Sequence, residues 1–189
     1  VFHKISGLPE NQIMGSGTIL DTARLRYGLS EHFKVAQGNI HAYVFGEHGD
    51  TSFIPWTGAY ISGLSTDEYY EEMKAHGKDV KPLDKEAMLE YVQKSGGKVI
   101  AKKGATFYAV SATVCQLVGL ILAASDSLAT VSSMLHGEYG IEDVCLSTLT
   151  LVGPNGIQGK VQMRMNKEEV ALLKKSADAL KEVIAQIEL

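Results

Sequence analysis

Two short stretches carry side chains that could do chemistry together. Gly46-Glu47-His48-Gly49-Asp50 closes the apolar run of Ile40, Ala42, Tyr43, Val44 and Phe45, and Asp21-Thr22-Ala23-Arg24 stands upstream of it. Between them they supply an imidazole to give or take a proton, a carboxylate to tune it and a guanidinium to hold an acid. With Gly46 and Gly49 close on either side at a strand end, the His48 ring keeps one side open to a ligand. Asp21 and Arg24, three apart, share a face if they lie on a helix, so an anionic and a cationic group point into the same space. Each half also has an ordinary explanation, a loop histidine or a solvated helix pair contributing about 0.2–0.5 kcal/mol. It is the complementary chemistry of the two stretches, close in sequence, that favours a site.

Positioning these groups requires a helix and a strand, and the pattern supplies both. Thr18, after Gly15-Ser16-Gly17, is placed to cap a helix over Ile19 to Phe33 whose apolar side includes Leu20, Ala23, Tyr27 and Phe33. Asn39 to Gly46 alternates as a strand, with Thr51 to Ser62 as its antiparallel partner, Gly49-Asp50 as the hairpin turn and Pro55 marking an edge or bulge. Thr66 to Ala75 reads as a short acidic helix. Asp84 to Ala101 runs on into Thr106 to Ala124 with a kink at Gly104. Leu128 to Leu135 and Asp143 to Val152 read as strands around the turn His136 to Gly140, and Pro154-Asn155-Gly156 turns into Ile157 to Met165. Asn166, with Glu169 completing a capping box, opens a terminal helix to Leu189 carrying Val170, Leu173, Ala177, Leu180, Ile184 and Ile187 at helical spacing. These elements describe an α+β fold with antiparallel strands and long helices.

The bulk properties narrow the function. A chain of 189 residues, 45% hydrophobic, can build one domain with a substantial core, or a domain plus a helical arm. A net charge of −4 with mixed signs gives no nucleic-acid footprint. Cys115 and Cys145 sit in apolar runs and read as reduced core residues, with neither a disulfide framework nor a metal site implied. The apolar stretch Ala105 to Ala124, broken by Thr106, Ser111, Thr113 and Gln116, reads as a buried helix and not a membrane span, and Val1-Phe2-His3-Lys4 does not read as the start of a signal peptide. No Gly-x-Gly-x-x-Gly follows a strand, Gly15-Ser16-Gly17 lacks the third glycine, and there is no P-loop. The chain thus carries acid/base groups without an evident cradle for a dinucleotide phosphate.

Taken in order, Ser6-Gly7-Leu8-Pro9, Gly15-Ser16-Gly17-Thr18, Leu20-Asp21-Thr22-Ala23-Arg24, Gly46-Glu47-His48-Gly49-Asp50, Lys103-Gly104-Ala105-Thr106 and Gly137-Glu138-Tyr139-Gly140 resemble the L-lactate and malate dehydrogenases, specifically their C-terminal substrate domain. The resemblance covers essentially the whole chain. It implies that residues 1–189 form that catalytic domain and that the N-terminal NAD-binding Rossmann domain and the mobile substrate loop are absent from this sequence. Glu47, where malate enzymes usually carry glycine, points to the lactate branch, with pyruvate and L-lactate as substrates. The same half of a malate or branched 2-hydroxyacid dehydrogenase, or a non-enzymatic interaction module, are the other readings.

The resemblance also assigns roles. His48 is the proton donor and acceptor, Asp21 its carboxylate partner, Arg24 the bidentate clamp on the substrate carboxylate and Thr106 the residue flanking the substrate methyl. Ser16 lies near the nicotinamide carboxamide of NAD and Val110 behind its ring, although Ser16 also suits the turn and Val110 the core. Arg26, about 200° around the helix from Arg24, pairs with His41 as a fructose 1,6-bisphosphate site across a subunit interface, or as ordinary interface polarity. The family further implies a cytoplasmic homotetramer.

Overall fold

The computed structural model describes residues 1–187. Among the described residues six α-helices are joined by short strands: α1 (Phe2–Ser6), α2 (Ile19–Phe33), β1 (Ile40–His41), β2 (Tyr60–Ile61), β3 (Leu64–Ser65), α3 (Thr66–Ala75), α4 (Lys85–Lys103), α5 (Tyr108–Leu122), β4 (Ser127–Ala129), β5 (Ser132–His136), β6 (Glu142–Ser147), β7 (Thr150–Gly153), β8 (Gly156–Lys160) and α6 (Lys167–Ile184). The strands form three small sheets, β1-β2-β3, β4-β7-β8 and β5-β6, and each pairing is antiparallel. The α+β expectation holds.

Helix α2 has the expected bounds but a different buried stripe. Ile19, Thr22, Leu25, Leu29 and Phe33 are buried, while Ala23 and Tyr27 face solvent. Leu25, Leu29 and Phe33 pack with Ile40, Ala42, Val44, Ile61 and Val92, joining α2 to β1, β2 and α4. Thr18 does not cap the helix. Its hydroxyl donates to the Val44 carbonyl at 2.5 Å, and the Val44 N–H donates to Thr22 Oγ1 at 3.0 Å. Val44 has no ladder partner, so both its buried backbone groups are satisfied by threonines of the helix start.

That absent ladder is a second departure. Among the described residues the strand expected over Asn39 to Gly46 pairs only through Ile40↔Ile61 and His41↔Tyr60, with isolated bridges Phe45↔Phe53 and Gly46↔Ser147. Pro55 has no N–H to give a ladder and leads into a 3₁₀ turn at Trp56–Gly58, which carries the chain off the sheet. The two later strands are each split as well. Thr130 and Val131 pass the chain from β4 to β5, in a different sheet, and Thr148 and Leu149 do the same between β6 and β7. The last strand ends at Lys160, short of the expected Met165.

The kink expected at Gly104 is a full break. Gly104, at φ +77°, donates its N–H to the Ile100 carbonyl and ends α4. Helix α5 is not buried. Only Thr113 and Leu117 are covered, while Tyr108, Val110, Val114, Val118 and Leu122 lie open, as does Cys115. Cys115 is therefore not a core residue, and Cys145 is half-buried, its thiol pushed up by burial. Helix α6 has its Asn166–Glu169 capping box and buries Leu173, Ser176 and Ala177. It ends at Ile184; Glu188 and Leu189, into which the helix was expected to continue, lie outside the described residues. Among the described residues no helix is long and apolar enough to cross a membrane.

The start of α2 is wedged against the sheets at Gly17. At φ +50° its ideal Cβ would overlap Ser147 Oγ and lie 2.7 Å from the Ser132 nitrogen and 2.9 Å from the Thr130 oxygen. Gly17→Ala is expected to destabilise the domain by on the order of 3 kcal/mol from backbone strain and overpacking, read as a lower urea midpoint. A change under about 0.5 kcal/mol, the range of ordinary surface substitutions, would contradict this wedge.

Candidate active site

Asp21 sits in the first turn of α2 with its side chain 5% exposed and divides its two oxygens between two partners. Oδ2 accepts from His48 Nδ1 at 2.6 Å, and Oδ1 accepts from Arg24 Nη1 at 3.0 Å. The Arg24 side chain is 15% exposed and that of His48 is 61% exposed. Both cationic groups thus emerge from one buried carboxylate into a shared opening. Facing a carboxylate, Nδ1 carries the ring hydrogen, which leaves Nε2 as the atom that can exchange a proton with a ligand.

The loop that presents His48 is held from three sides. Gly46 adopts φ +96°, where a Cβ would lie 2.8 Å from Ser176 Oγ of α6. Ser176 Oγ accepts from the Glu47 N–H at 2.8 Å and pairs with Thr51 Oγ1 at 2.9 Å, while Glu47 Oε1 accepts from Thr51 N and Oγ1. Gly46 and Ser147 exchange backbone hydrogen bonds at 3.0 Å. From α4, Gln93 Nε2 donates to the Ser52 carbonyl at 2.9 Å and the Asp50 carbonyl at 3.2 Å. The histidine is on a loop, but the loop is pinned to α4, α6 and β6.

Asp21, Arg24 and His48 open onto a cavity of about 230 Å³. Thr106 and Val110 line it too, as do Leu20, Ser52, Gln93, Gly96, Gly97 and Ile100. Five of the sequence-derived site residues therefore share one pocket. Ser16 does not line it; its carbonyl accepts from the Ile19 N–H in the turn before α2. Arg26 points elsewhere, donating from Nε to the Ala42 carbonyl at 3.1 Å and stacking 5.0 Å from the Tyr43 ring. His41, exposed on β1, precedes Ala42 in the chain, and neither Arg26 nor His41 lines the cavity. Sequence reasoning missed the α4 wall, although Gln93, Gly96, Gly97 and Ile100 stand at helical same-face spacing. Among the described residues no group of His, Cys, Asp and Glu could hold a metal.

The charges set the chemistry. The Asp21 hydrogen bond raises the His48 pKa above its ordinary 6.5, burial and the Arg24 charge pull it down, and Asp21 and Glu47 charges add to the rise. With His48 protonated, two cations face one carboxylate, so the opening is net positive and suited to a small anion. An acid held on the free N–H groups of Arg24 would lie within reach of a proton on Nε2.

The model of the lactate/malate dehydrogenase alpha/beta C-terminal domain family matches residues 18–188. The L-lactate dehydrogenase of Acetivibrio thermocellus is 44% identical over 189 residues, 100% of this chain and 59% of that protein. L-lactate dehydrogenase 1 of Clostridium acetobutylicum is 42% identical over 187 residues, 99% of this chain and 59% of that protein. Among solved structures, an L-lactate dehydrogenase from Clostridium thermocellum superposes with a TM-score of 0.88 at 35% identity, covering 99% of this chain and 60% of that one. The ligand-bound minor L-lactate dehydrogenase of Enterococcus mundtii gives 0.89 at 30% identity, over 98% and 58%. The chain spans about 59% of the length of the curated relatives it matches.

Because the folded state raises the His48 pKa, its contribution to stability is complete below about 6.5 and is lost as pH rises through the raised value. Asp21→Asn removes the main cause. The His48 pKa is then expected to fall to or below 6.5, followed by NMR titration of the ring, and the pH dependence of stability just above 6.5 should flatten. An unchanged ring pKa in the variant would show that Asp21 does not tune it.

Proposed function

This chain belongs to the lactate/malate dehydrogenase C-terminal domain family, and from that premise we propose that it is the substrate-binding and proton-transfer half of an NAD-dependent L-lactate dehydrogenase, taking pyruvate to L-lactate. The observation that carries the reading is the single Asp21 carboxylate holding His48 and Arg24 at 2.6 and 3.0 Å at the edge of one cavity.

The residues divide the work. The N–H groups of Arg24 that Asp21 leaves free take the substrate carboxylate and fix its plane, an orienting contact that a lysine ammonium cannot reproduce. The keto oxygen then faces His48. As that oxygen gains negative charge, Nε2 gives it a proton, and the ring is left neutral with its Nδ1 hydrogen still on Asp21. Asp21 favours the charged ring before transfer and keeps the tautomer afterwards. Thr106 closes the side where the substrate methyl would lie.

The cofactor fits the residues here only in part. Val110 is exposed on the cavity wall and offers an apolar face beside His48 for a nicotinamide ring. NADH, when bound, supplies the hydride to the keto carbon. No glycine-rich phosphate cradle occurs in this sequence, so the phosphates would be held by a second, dinucleotide-binding domain. The extra length of the relatives leaves room for such a domain, and the exposed apolar face of α5 is a surface it could cover.

The chain alone is expected to bind oxamate, a pyruvate mimic, without catalysing NADH-dependent pyruvate reduction. Arg24→Lys should weaken oxamate roughly tenfold or more by loss of the bidentate contact, measured by NMR titration. Oxamate affinity indifferent to Arg24→Lys, or turnover by the isolated chain at the rate of an intact enzyme, would overturn the reading.

A further inference from the structure

We propose that Ser176 and Thr51 are positioning residues for proton transfer, closing a hydrogen-bonded ring through Glu47 that sets where His48 Nε2 stands. The inference rests on the proton-transfer reading of His48 and concerns what holds its imidazole in place.

The imidazole gets little help from packing. Its side chain is 61% exposed, and the Asp21 hydrogen bond fixes one ring atom, Nδ1. Placing Nε2 takes a second fixed point, and that point is the backbone of the loop. The loop is paired at its ends, Phe45 with Phe53 and Gly46 with Ser147. Between those ends its hydrogens can be assigned. The Glu47 N–H donates to Ser176 Oγ at 2.8 Å, and Thr51 Oγ1 donates to Glu47 Oε1 at 2.9 Å. A hydroxyl has one hydrogen, so Thr51 has none left for Ser176. In the 2.9 Å contact between the two hydroxyls Ser176 is therefore the donor. The bonds run one way, from the Glu47 N–H through Ser176 and Thr51 to the Glu47 carboxylate, and return to the residue they left. Each hydroxyl both accepts and donates, so each bond strengthens the next.

Helix α6 has no reason of its own for a serine at this position. Ser176 is completely buried, next to the buried Ala177 and one turn from Leu173, and alanine is the better helix former. Hydroxyls inside helices commonly return to the carbonyl four residues back, as Thr113 does to Ala109 at 2.9 Å. Among the described residues the Ser176 hydroxyl instead bonds only to the loop. The glycines around His48 fit the same ring. A Cβ on Gly46 would lie 2.8 Å from Ser176 Oγ, and one on Gly49 would lie 2.9 Å from Glu47 Oε1. Neither Ser176, Thr51 nor Glu47 lines the cavity, so the ring acts on a ligand through His48.

The test is ¹⁵N NMR of the His48 ring across pH, with an oxamate titration, in the wild-type chain, Ser176→Ala, Thr51→Val, Thr51→Ser and Arg24→Lys. Thr51→Val removes the hydroxyl at nearly constant volume, and Thr51→Ser keeps it. Ser176→Ala and Thr51→Val are expected to turn the neutral His48 ring from one tautomer into a mixture of both and to move its raised pKa back toward 6.5. Both should weaken oxamate roughly tenfold, the scale of a buried hydrogen bond left unmade. Thr51→Ser should keep the wild-type values. A serine that served stability alone would lower the urea midpoint and leave the ring signals of the folded protein unchanged. Ring signals unchanged by Ser176→Ala or by Thr51→Val, or disturbed as much by Thr51→Ser, overturn the inference; weakening of oxamate by Arg24→Lys then leaves the parent reading standing. If Ser176→Ala does not fold, the Thr51 pair decides alone. Failure of the wild type to bind oxamate, or indifference of its affinity to Arg24→Lys, overturns the parent reading and the inference together.

Discussion

One buried carboxylate organises the site. Among the described residues Asp21 is the only group hydrogen-bonded to both His48 and Arg24, and it is held too deep for solvent to compete strongly for its oxygens. A buried acid with a single partner would leave lone pairs unsatisfied, at a cost of about 1–3 kcal/mol or more for a charged group. With two partners it is satisfied, and the partners are fixed relative to one another. The imidazole acquires a preferred tautomer and a raised affinity for a proton, and the guanidinium acquires an orientation. Both follow from the same two hydrogen bonds.

The surrounding fold keeps that geometry through contacts that are themselves polar and buried. Thr18 and Thr22 grip the two backbone groups of Val44, which sets the distance between the start of α2 and the segment leading to His48. Gly17 allows the close approach of α2 to Thr130, Ser132 and Ser147. Ser176 of α6 and Gln93 of α4 then tie down the loop beyond Gly46. The three hydrophobic clusters supply cohesion, but the register between α2 and the His48 loop is set by hydroxyls and backbone amides.

Much of this was legible in the residues. The i,i+3 spacing of Asp21 and Arg24 reflects a local helical rule, and local rules carried α2, α3 and the capping box of α6 correctly. The convergence of His48 on Asp21 is long-range; the complementary chemistry of the two stretches suggested it, and the family resemblance named Asp21 as the partner of His48. Composition misled where burial depends on partners. Helix α5 is apolar enough for a core, yet most of its face is open in this chain. Strand lengths failed because β-pairing is settled by neighbours distant in sequence: Thr130–Val131 and Thr148–Leu149 each interrupt a run that looks continuous. Ser16 stands close to Asp21 in sequence but lies in the bend before α2, the turn role that its sequence setting also allowed.

The account therefore stands or falls on the hydrogen bond between Asp21 and His48. Its most direct measure is the ¹⁵N chemical shift of both His48 ring nitrogens above the raised pKa, where the ring is neutral. The structure predicts a protonated Nδ1 and a bare Nε2, the reverse of the tautomer favoured by free histidine. A bare Nδ1 with the hydrogen on Nε2 would mean that Asp21 does not hold the ring, and the shared carboxylate could no longer explain the site.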